Sequence, residues 1–249
     1  MLVEDRQRRI LERLRVETIL SASELERYFG VTAMTVWRDL KFLEEQGFLK
    51  RIRGGAIDVQ SALEQSYVEK AVNSLASKQR IAAWTVDNLI NEGDIIVLDG
   101  GTTVGALTKE SLPPNLTVMT NSLPIADALL RHPARPLVHL CGGLLRPESS
   151  TSVGKEALSF FRKRRATKFF MSATGVDVKA GVTDPNPLEI EVKRMMANSC
   201  EIVYLLVDAG KWGQVSLMQT LSWRRISTIV TDYKAKINKA HLLPEIQRV

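Results

Sequence analysis

The sequence predicts an α/β protein with an N-terminal winged helix-turn-helix domain and a C-terminal Rossmann-like domain built on a parallel sheet. The first 57 residues contain short amphipathic helical patterns separated by glycine turns, and they end in a hairpin pattern. From residue 95 onwards, apolar segments of strand length alternate with helical segments, as in parallel sheets covered on both faces. The expected ranges are 3–58 for the first domain (motif 20–39), 59–77 for a linker, 78–235 for the second domain and 236–249 for a tail.

The composition is that of a globular protein and disfavours several other classes. The 249 residues are 45% hydrophobic and 25% charged, and no apolar run is long enough to span a bilayer. The charged N-terminus does not resemble a signal peptide. Cys141 and Cys200 lie far apart, and the three histidines lack metal-ligand spacing. We therefore expect no disulfide, metal, cofactor or membrane partner, and a location in the reducing cytoplasm.

The net charge of +6 is unevenly distributed along the chain. Residues 1–60 contain 11 Lys and Arg against 10 Asp and Glu, so this domain is almost neutral. A domain of this kind binds a polyanion only if its positive charges are segregated onto one face. The residues expected on that face are Arg6, Arg8, Arg9, Arg38, Lys41, Lys50, Arg51 and Arg53.

Residue spacing defines the helices of the N-terminal domain. A serine followed three positions later by a glutamate forms a capping box, and two overlapping candidates could start the second helix: Ser21 with Glu24, and Ser23 with Glu26. Gly30 predicts the end of that helix, because glycine accepts the left-handed backbone found there. The apolar faces of the three helices are expected to contain Ile10, Leu11, Leu14, Leu25, Phe29, Val36, Leu40 and Leu43.

The third helix is expected to start at Thr32, whose side chain can cap it, and to end at Gly47. Its outer face is polar and charged, as in a helix that enters the major groove of DNA. The hairpin at 48–57, with Gly54 and Gly55 at its turn, is expected to form a wing beside the phosphate backbone. The expected DNA contacts are Thr32, Met34, Thr35, Trp37, Arg38, Lys41, Arg51 and Arg53.

An ordered, ungapped set of short motifs covers nearly all of this domain. It includes Arg6–Leu11, Phe29-Gly30-Val31, Thr35–Leu40 and Arg53–Ala56. Together these motifs resemble the DeoR family of bacterial transcriptional regulators. The family pattern in the DNA-reading helix is Thr-Ile-Arg-Arg-Asp-Leu, and Trp37 stands in place of its first arginine. The replacement of this arginine by tryptophan is expected to affect one phosphate or base contact and the operator sequence that is preferred.

Small and polar residues follow the carboxyl ends of several predicted strands. The strands are expected at 95–98, 116–119, 137–140, 168–172, 202–207 and 228–230, and the helices at 78–90, 103–109, 124–130, 155–161 and 189–198. Ligands of parallel sheets bind outside the carboxyl ends of the strands. The turn Asp99–Thr103 precedes a helix, where glycines and free N–H groups suit an anion. It matches neither a Walker loop nor a dinucleotide fingerprint, which disfavours ATP and NAD.

The motifs at these strand ends extend the resemblance. Leu98–Thr103, Leu116–Ser122, Cys141-Gly142-Gly143 and Asp208–Gly213 look like the DeoR sensor domain, which is similar in fold to sugar-phosphate isomerases such as ribose-5-phosphate isomerase and to CoA-transferase-like proteins. The resemblance implies a phosphorylated sugar or related metabolite as effector, with Lys211 on the phosphate. The ligand residues that it implies are Asp99, Gly100, Gly101, Thr102, Thr103, Asn121, Gly142, Gly143, Glu189 and Lys211.

Two functions compete for this combination of domains. The favoured one is a DNA-binding transcriptional regulator, a dimer or tetramer that represses a sugar-utilisation operon and responds to a phosphorylated sugar. The alternative is a sugar-phosphate isomerase or aldolase with an accessory DNA-binding module, in which Asp99, Glu189 or Glu191 is the general base and Lys211 a stabilising cation. A helix-turn-helix has no use in simple metabolic catalysis, which favours the regulator.

Overall fold

The chain divides between residues 65 and 66 into two units, each with its own hydrophobic core. The computed structural model describes residues 3–17, 19–46, 48–52, 54–58, 67–234 and 243–249. The division falls within the range predicted as a linker. Among the described helices, none is both long and apolar enough to cross a membrane.

The N-terminal unit contains three helices and a three-stranded antiparallel sheet. The elements are α1 (Val3–Glu17), β1 (Ile19–Ser21), α2 (Ala22–Phe29), α3 (Ala33–Glu45), β2 (Leu49–Ile52) and β3 (Gly55–Asp58). The predicted hairpin is confirmed, but β1 joins it as a third strand that the sequence pattern did not indicate, in the order β1-β3-β2. Gly55 permits this pairing, because a Cβ there would lie 2.0 Å from the carbonyl oxygen of Leu20.

The structure shows which of the predicted helix caps and helix ends form in the N-terminal unit. Helix α2 starts after Ser21, whose backbone N–H donates to the Glu24 carboxylate at 3.4 Å, so the earlier of the two capping boxes is the one that forms. Gly30 ends this helix in the left-handed region with φ 62°. Thr32 stands at the cap position of α3, but its hydroxyl lies 3.1 Å from that of Thr35 and bonds no backbone N–H. Gly47 lies outside the described residues.

A buried ion pair joins α1 to α3. Arg6 Nε lies 2.5 Å and Nη2 3.2 Å from the two carboxylate oxygens of Asp39, and both side chains are less than a tenth exposed. The expectation that Arg6 belongs to a DNA-binding face is therefore wrong. The apolar residues around the pair form the core of this unit, which includes Ile10, Leu14, Leu25, Val36, Leu40 and Leu43.

The C-terminal unit is built on a seven-stranded parallel sheet. Its helices are α4 (Tyr67–Val72), α5 (Leu75–Leu89), α6 (Thr102–Gly105), α7 (Leu123–Leu130), α8 (Lys155–Arg162) and α9 (Pro187–Asn198). Its strands are β4 (Ile95–Leu98), β5 (Thr117–Thr120), β6 (Leu137–Leu140), β7 (Leu144–Arg146), β8 (Thr151–Val153), β9 (Ala166–Met171), β10 (Gly175–Asp177), β11 (Gly181–Asp184), β12 (Cys200–Leu206), β13 (Met218–Leu221), β14 (Thr228–Thr231) and β15 (Glu245–Arg248).

The strand order of the main sheet is β15-β14-β12-β9-β4-β5-β6. The chain runs outward from β4 in one direction as far as β6, and then continues on the other side of β4 with β9. Strands β4 and β9 are therefore neighbours whose connections leave in opposite directions. This reversal opens a crevice at their carboxyl ends, which is where ligands bind in sheets of this type. All six predicted strands belong to this sheet.

Three parts of the C-terminal unit differ from the sequence prediction. The helix expected at 103–109 is a single α-helical turn followed by a 3-10 turn at Ala106–Lys109. The expected tail contains β15, which pairs with β14 along Glu245–Arg248, so that part of the range completes the sheet. Two antiparallel groups, β7 with β8 and β10 with β11 and β13, were not predicted.

We predict that Asp39→Ala destabilises the N-terminal unit by about 3–5 kcal/mol, because it leaves the Arg6 guanidinium buried and unpaired. Hydrogen exchange of the α1 and α3 amides in the full chain measures this loss. Arg8→Ala is the matched control, since Arg8 is exposed on the same helix and should cost less than about 1 kcal/mol. Equal protection in the Asp39 and Arg8 variants would contradict the assignment.

Candidate functional site

The outer surface of α3 carries most of the predicted DNA contacts. Met34 is 73% exposed, Arg38 and Lys41 are exposed, and Thr35 is half-buried near the start of the helix. Arg38 makes no ion pair with any described residue, whereas Lys41 lies 3.7 Å from Glu45 in an exposed pair. Exposed ion pairs of this kind contribute little to the stability of the fold and dissociate readily. This surface therefore offers two cations to a polyanion.

Two of the predicted contacts have partners within the N-terminal unit. Trp37 is half-buried and packs against the hydrophobic core, so its replacement of the family arginine is partly a packing difference. Arg51 on β2 lies 2.6 Å from the Glu44 carboxylate, which also accepts the Arg51 backbone N–H at 2.8 Å. This contact fixes the hairpin against the end of α3. Arg53 lies outside the described residues.

A polar pocket lies where the strand order reverses between β4 and β9. It contains about 670 Å³ of space, part of which is open to solvent. The predicted ligand residues that line it are Asp99, Gly100, Gly101, Thr102, Thr103, Asn121, Glu189 and Lys211. The other residues that line it are Tyr67, Lys70, Ser149, Thr151, Ser172, Ala173, Thr174, Asp184 and Lys193.

The structure does not bring Gly142 and Gly143 to this pocket. Gly143 has φ 135°, and a Cβ there would lie 2.4 Å from the carbonyl oxygen of Val153. Glycine at position 143 is therefore explained by its approach to β8, which pairs with β7 in an antiparallel hairpin. The expectation that these glycines contact the ligand is corrected on this ground.

Close packing explains the two glycines that follow β4. A Cβ at Gly101 would lie 1.6 Å from Ser172 Oγ, and one at Gly100 would lie 2.1 Å from a methyl group of Thr151. The turn after β4 therefore fits against residues that follow β9 and open β8. Its glycines are required by the protein whether or not an anion binds there.

Lys193 lies between two buried carboxylates at the crevice. Its Nζ is 3.0 Å from Asp184, 3.4 Å from Asp99 and 3.0 Å from the carbonyl oxygen of Ser172. Burial alone would lower the pKa of Lys193, but Asp184 and Asp99 outweigh it and raise that pKa above its usual value. Lys193 therefore carries its charge into the core.

The oxygens of Asp99 are occupied by protein donors. One accepts the Gly101 N–H at 2.8 Å, and the other accepts the Ser172 N–H at 3.0 Å beside Lys193. Burial raises the pKa of Asp99, while Lys193 and these two N–H groups oppose the rise. Asp99 thus joins the ends of β4 and β9. It has little capacity left for the sugar hydroxyl that the sequence suggested.

Glu189, on the pocket wall, is held by a cation and hydroxyl groups. Its carboxylate lies 2.8 Å from Arg146 and accepts the Thr151 hydroxyl at 2.8 Å. Burial alone would raise the pKa of Glu189, but a hydrogen bond from Ser149 and the charge of Arg146 lower it below its usual value. Glu189 is therefore ionised, and its negative charge is matched within the protein.

Asn121 leaves one hydrogen-bonding atom unused. Its amide nitrogen donates to the carbonyl oxygen of Ser152 at 3.2 Å, but its oxygen has no partner. Among the described residues it is the only buried side-chain oxygen or nitrogen in this condition. Buried acceptors are almost always paired in folded proteins. The free oxygen therefore points to a donor, such as a hydroxyl group, on a ligand in the pocket.

Three lysines lie at one end of the pocket. Lys70 and Lys211 line it, and Lys78 is buried nearby with its Nζ donating to the carbonyl oxygen of Lys70. Burial lowers the pKa of Lys78, and the neighbouring charges of Lys211 and Lys70 lower it further against the pull of Asp208. The Lys211 side chain makes no hydrogen bond or ion pair with the described residues, and its backbone N–H donates to the carbonyl oxygen of Asp208. This end of the pocket is therefore electropositive.

The other lining residues had weak signals in the sequence. Tyr67 and Lys70 fell in the predicted linker, although their spacing of three places them on one face of a helix. Ser172 was the last residue of a predicted strand and Thr174 came shortly after it, but Asp184 lay on a strand that was not predicted. Among the described residues, no cluster of three His, Cys, Asp or Glu side chains could hold a metal ion.

Comparisons with known proteins agree with both units. A family model described as the DeoR C terminal sensor domain matches residues 73–233, and one described as the DeoR-like helix-turn-helix domain matches residues 6–62. The HTH-type transcriptional regulator GlpR of Haloferax volcanii is 34% identical, covering 93% of this chain and 91% of that protein. The transcriptional repressor AccR of Agrobacterium fabrum is 32% identical, covering 92% of this chain and 89% of that protein.

Two further similarities are weaker. The putative aga operon transcriptional repressor of Escherichia coli O157:H7 is 29% identical, covering 92% of this chain and 86% of that protein. The solved ribose 5-phosphate isomerase of Plasmodium falciparum aligns with a TM-score of 0.36 and 16% identity, over 54% of this chain and 52% of that chain. A structural likeness this low indicates neither a substrate nor an activity.

We predict that Lys193→Met destabilises the C-terminal unit by about 3–5 kcal/mol at neutral pH, because it leaves Asp99 and Asp184 buried without their cation. Burial raises the pKa of Asp99, and protonation of this carboxyl group removes the cost of a buried charge without a cation. The difference in the free energy of unfolding between the variant and the wild type should therefore become smaller as the pH falls to about 5.

Urea denaturation of the full chain at the two pH values measures the effect. Lys109→Met, at an exposed lysine, is the control, and its free energy of unfolding should be close to that of the wild type at both pH values. A loss of stability that does not depend on pH would show that Lys193 acts only through packing.

Proposed function

The chain belongs to the DeoR family of DNA-binding transcriptional regulators, and we propose that it represses a sugar-utilisation operon and releases its operator when a phosphorylated sugar binds. Two of the relatives are named as repressors, one of them of an aga operon. The observation that carries the effector proposal is Lys211, a half-exposed cation on the pocket wall with no partner among the described residues.

The phosphate is assigned to the lysine end of the pocket. Lys211 and Lys70 present two positive charges there, with Lys78 behind them. A phosphate carries strong acceptor oxygens and close to two negative charges, so it gains most beside Lys211, whose side chain is not paired with a carboxylate of any described residue. The hydroxyls of Thr102 and Thr103 line the adjacent wall and can donate to it.

The sugar is assigned to the opposite end of the pocket. The free oxygen of Asn121 can accept a sugar hydroxyl, and Glu189 lines the wall nearby. Lysine side chains and the neutral acceptor of Asn121 in one pocket suit a molecule with one anionic group and hydroxyl groups.

Operator binding is assigned to α3 and the hairpin. Arg38 and Lys41 are proposed to contact phosphate or guanine, while Met34 and Thr35 near the helix start are proposed to reach base edges. Thr32 lies at the same end of the helix. Operators for such motifs have two-fold symmetry, so we propose a homo-oligomer with an even number of subunits, a dimer or tetramer.

The state of the pocket carboxylates supports the regulator over the isomerase or aldolase alternative. A general base needs a free lone pair and a pKa near the working pH. Asp99 is already bonded to Lys193 and two N–H groups, and Glu189 has a lowered pKa. Glu191 is exposed and does not line the pocket. These are properties of structural carboxylates.

We predict that a phosphorylated sugar raises the melting temperature of the full chain, because a ligand that binds only the folded state stabilises it. The screen compares glucose 6-phosphate, fructose 1-phosphate and ribose 5-phosphate with the same sugars without phosphate. Lys211→Ala should abolish the response and leave operator affinity unchanged, with Lys179→Ala as the control at a lysine remote from the pocket lining. Equal responses to sugars with and without phosphate would refute the effector class.

We predict that Arg38→Ala weakens operator binding and reduces its salt dependence, because each phosphate contact releases about one counterion. The measurement is the slope of log affinity against log salt concentration for a duplex selected from a random pool by the wild-type protein. Arg162→Ala, in the C-terminal unit, is the control and should leave the slope unchanged. An Arg38 variant with the wild-type slope and affinity would remove Arg38 from the interface.

A further inference from the structure

Helix α4 forms one wall of the pocket and is also the first helix of the C-terminal unit. Tyr67 and Lys70, one helical turn apart on α4, both line the cavity. The division between the two units lies directly before this helix, between residues 65 and 66. A movement of α4 against the sheet therefore acts on the chain at the point where it leaves for the DNA-binding unit.

Among the described residues, three hydrogen bonds attach α4 to the rest of the C-terminal unit, and one of them comes from Thr102, which lines the pocket. The Tyr67 N–H donates to the carbonyl oxygen of Glu148 at 2.8 Å. The carbonyl oxygen of Lys70 accepts hydrogen bonds from Lys78 Nζ and, at 3.5 Å, from the Thr102 hydroxyl. Thr102 lines the pocket beside the proposed phosphate position. A ligand in the pocket is thus within reach of the groups that attach α4.

Tyr67 adds a packing contact that one glycine makes possible. A Cβ at Gly105 in α6 would lie 2.5 Å from the Tyr67 hydroxyl oxygen and 3.6 Å from the ring carbon that carries it. Gly105 has ordinary right-handed helical dihedrals, φ −58° and ψ −27°, so its backbone does not require glycine. The Tyr67 hydroxyl is the group that requires it.

We propose that α4 reports whether the pocket is occupied: an anion contacted by Lys70 favours the docked helix, and the docking of α4 sets the affinity for the operator. This proposal rests on the proposed function for the identity of the ligand. A ligand shifts such an equilibrium only by its difference in affinity for the two states. Lys70 provides that difference, because it belongs to the element that moves.

Three variants of the full chain test the proposal. Gly105→Ala introduces the clash with the Tyr67 hydroxyl and should release α4. Tyr67→Phe removes the hydroxyl, and the double variant leaves only an ordinary contact between the new methyl group and the ring. Hydrogen exchange over residues 67–72 measures docking, and binding to the selected duplex measures operator affinity. Ribose 5-phosphate and inorganic phosphate are the ligand probes.

Gly105→Ala should speed exchange in α4 and change operator affinity by about fivefold or more. The change should be opposite in sign to the one that a bound probe causes in the wild type, because the probe favours docking. The double variant should return both quantities to within about twofold of Tyr67→Phe, since the clash is gone.

Faster exchange with unchanged operator affinity would overturn the proposal, as would unchanged exchange in Gly105→Ala. A double variant that resembles Gly105→Ala would also overturn it, because the effect would not pass through Tyr67. If neither probe binds the wild type, the effector class in the proposed function is wrong, while the exchange and operator measurements still decide whether α4 docking controls DNA affinity.

Discussion

The C-terminal unit depends on a buried lysine that joins two carboxylates at the reversal of strand order. Asp99 follows β4, Asp184 ends β11, and Lys193 extends from α9 to both of them. Taking charged groups out of water is costly, and the cost is offset only when each group has well-placed partners. Here the partners are backbone N–H groups and hydroxyls of the strand ends. The ion cluster therefore fixes the positions of the elements that surround the pocket.

This arrangement separates the structural charges from those available to a ligand. The carboxylates of Asp99, Asp184 and Glu189 are all paired with cations inside the protein. Lys211 lies on the pocket wall, and its side chain has no partner among the described residues. A site of this kind attracts an anion without first breaking an internal ion pair. The sign of the pocket's charge is thus a consequence of how its acids are satisfied.

Much of the fold followed from local patterns in the sequence. The apolar spacing of Ile10 with Leu14, and the uninterrupted apolar segments such as Ile95–Leu98, each record which face of an element is buried. Strands β1 and β15 were not predicted from the sequence. Both are short and are stabilised by pairing with β3 and β14, and no local sequence pattern indicates such pairing. The Arg6–Asp39 pair was invisible for the same reason, because it joins residues far apart in sequence.

The candidate site was predictable where its residues follow a predicted strand. Asn121 and Lys211 lie at such positions, as does the turn that begins at Asp99. Gly143 lies at one as well, yet its conformation serves the β7–β8 hairpin, since a glycine at a strand end has the same sequence signal in either role. Tyr67 was missed because α4 is only six residues long and reaches the pocket through tertiary contacts.

The most direct test of coupling between the two units is reciprocity. Binding energies are linked, so the factor by which a ligand changes operator affinity must equal the factor by which the operator changes ligand affinity. Titration calorimetry of ribose 5-phosphate into the full chain, alone and saturated with its selected duplex, measures the second factor. We predict weaker sugar-phosphate binding to the DNA complex, by the same factor as operator affinity falls. Equal affinities in both titrations would show that the pocket does not control the operator.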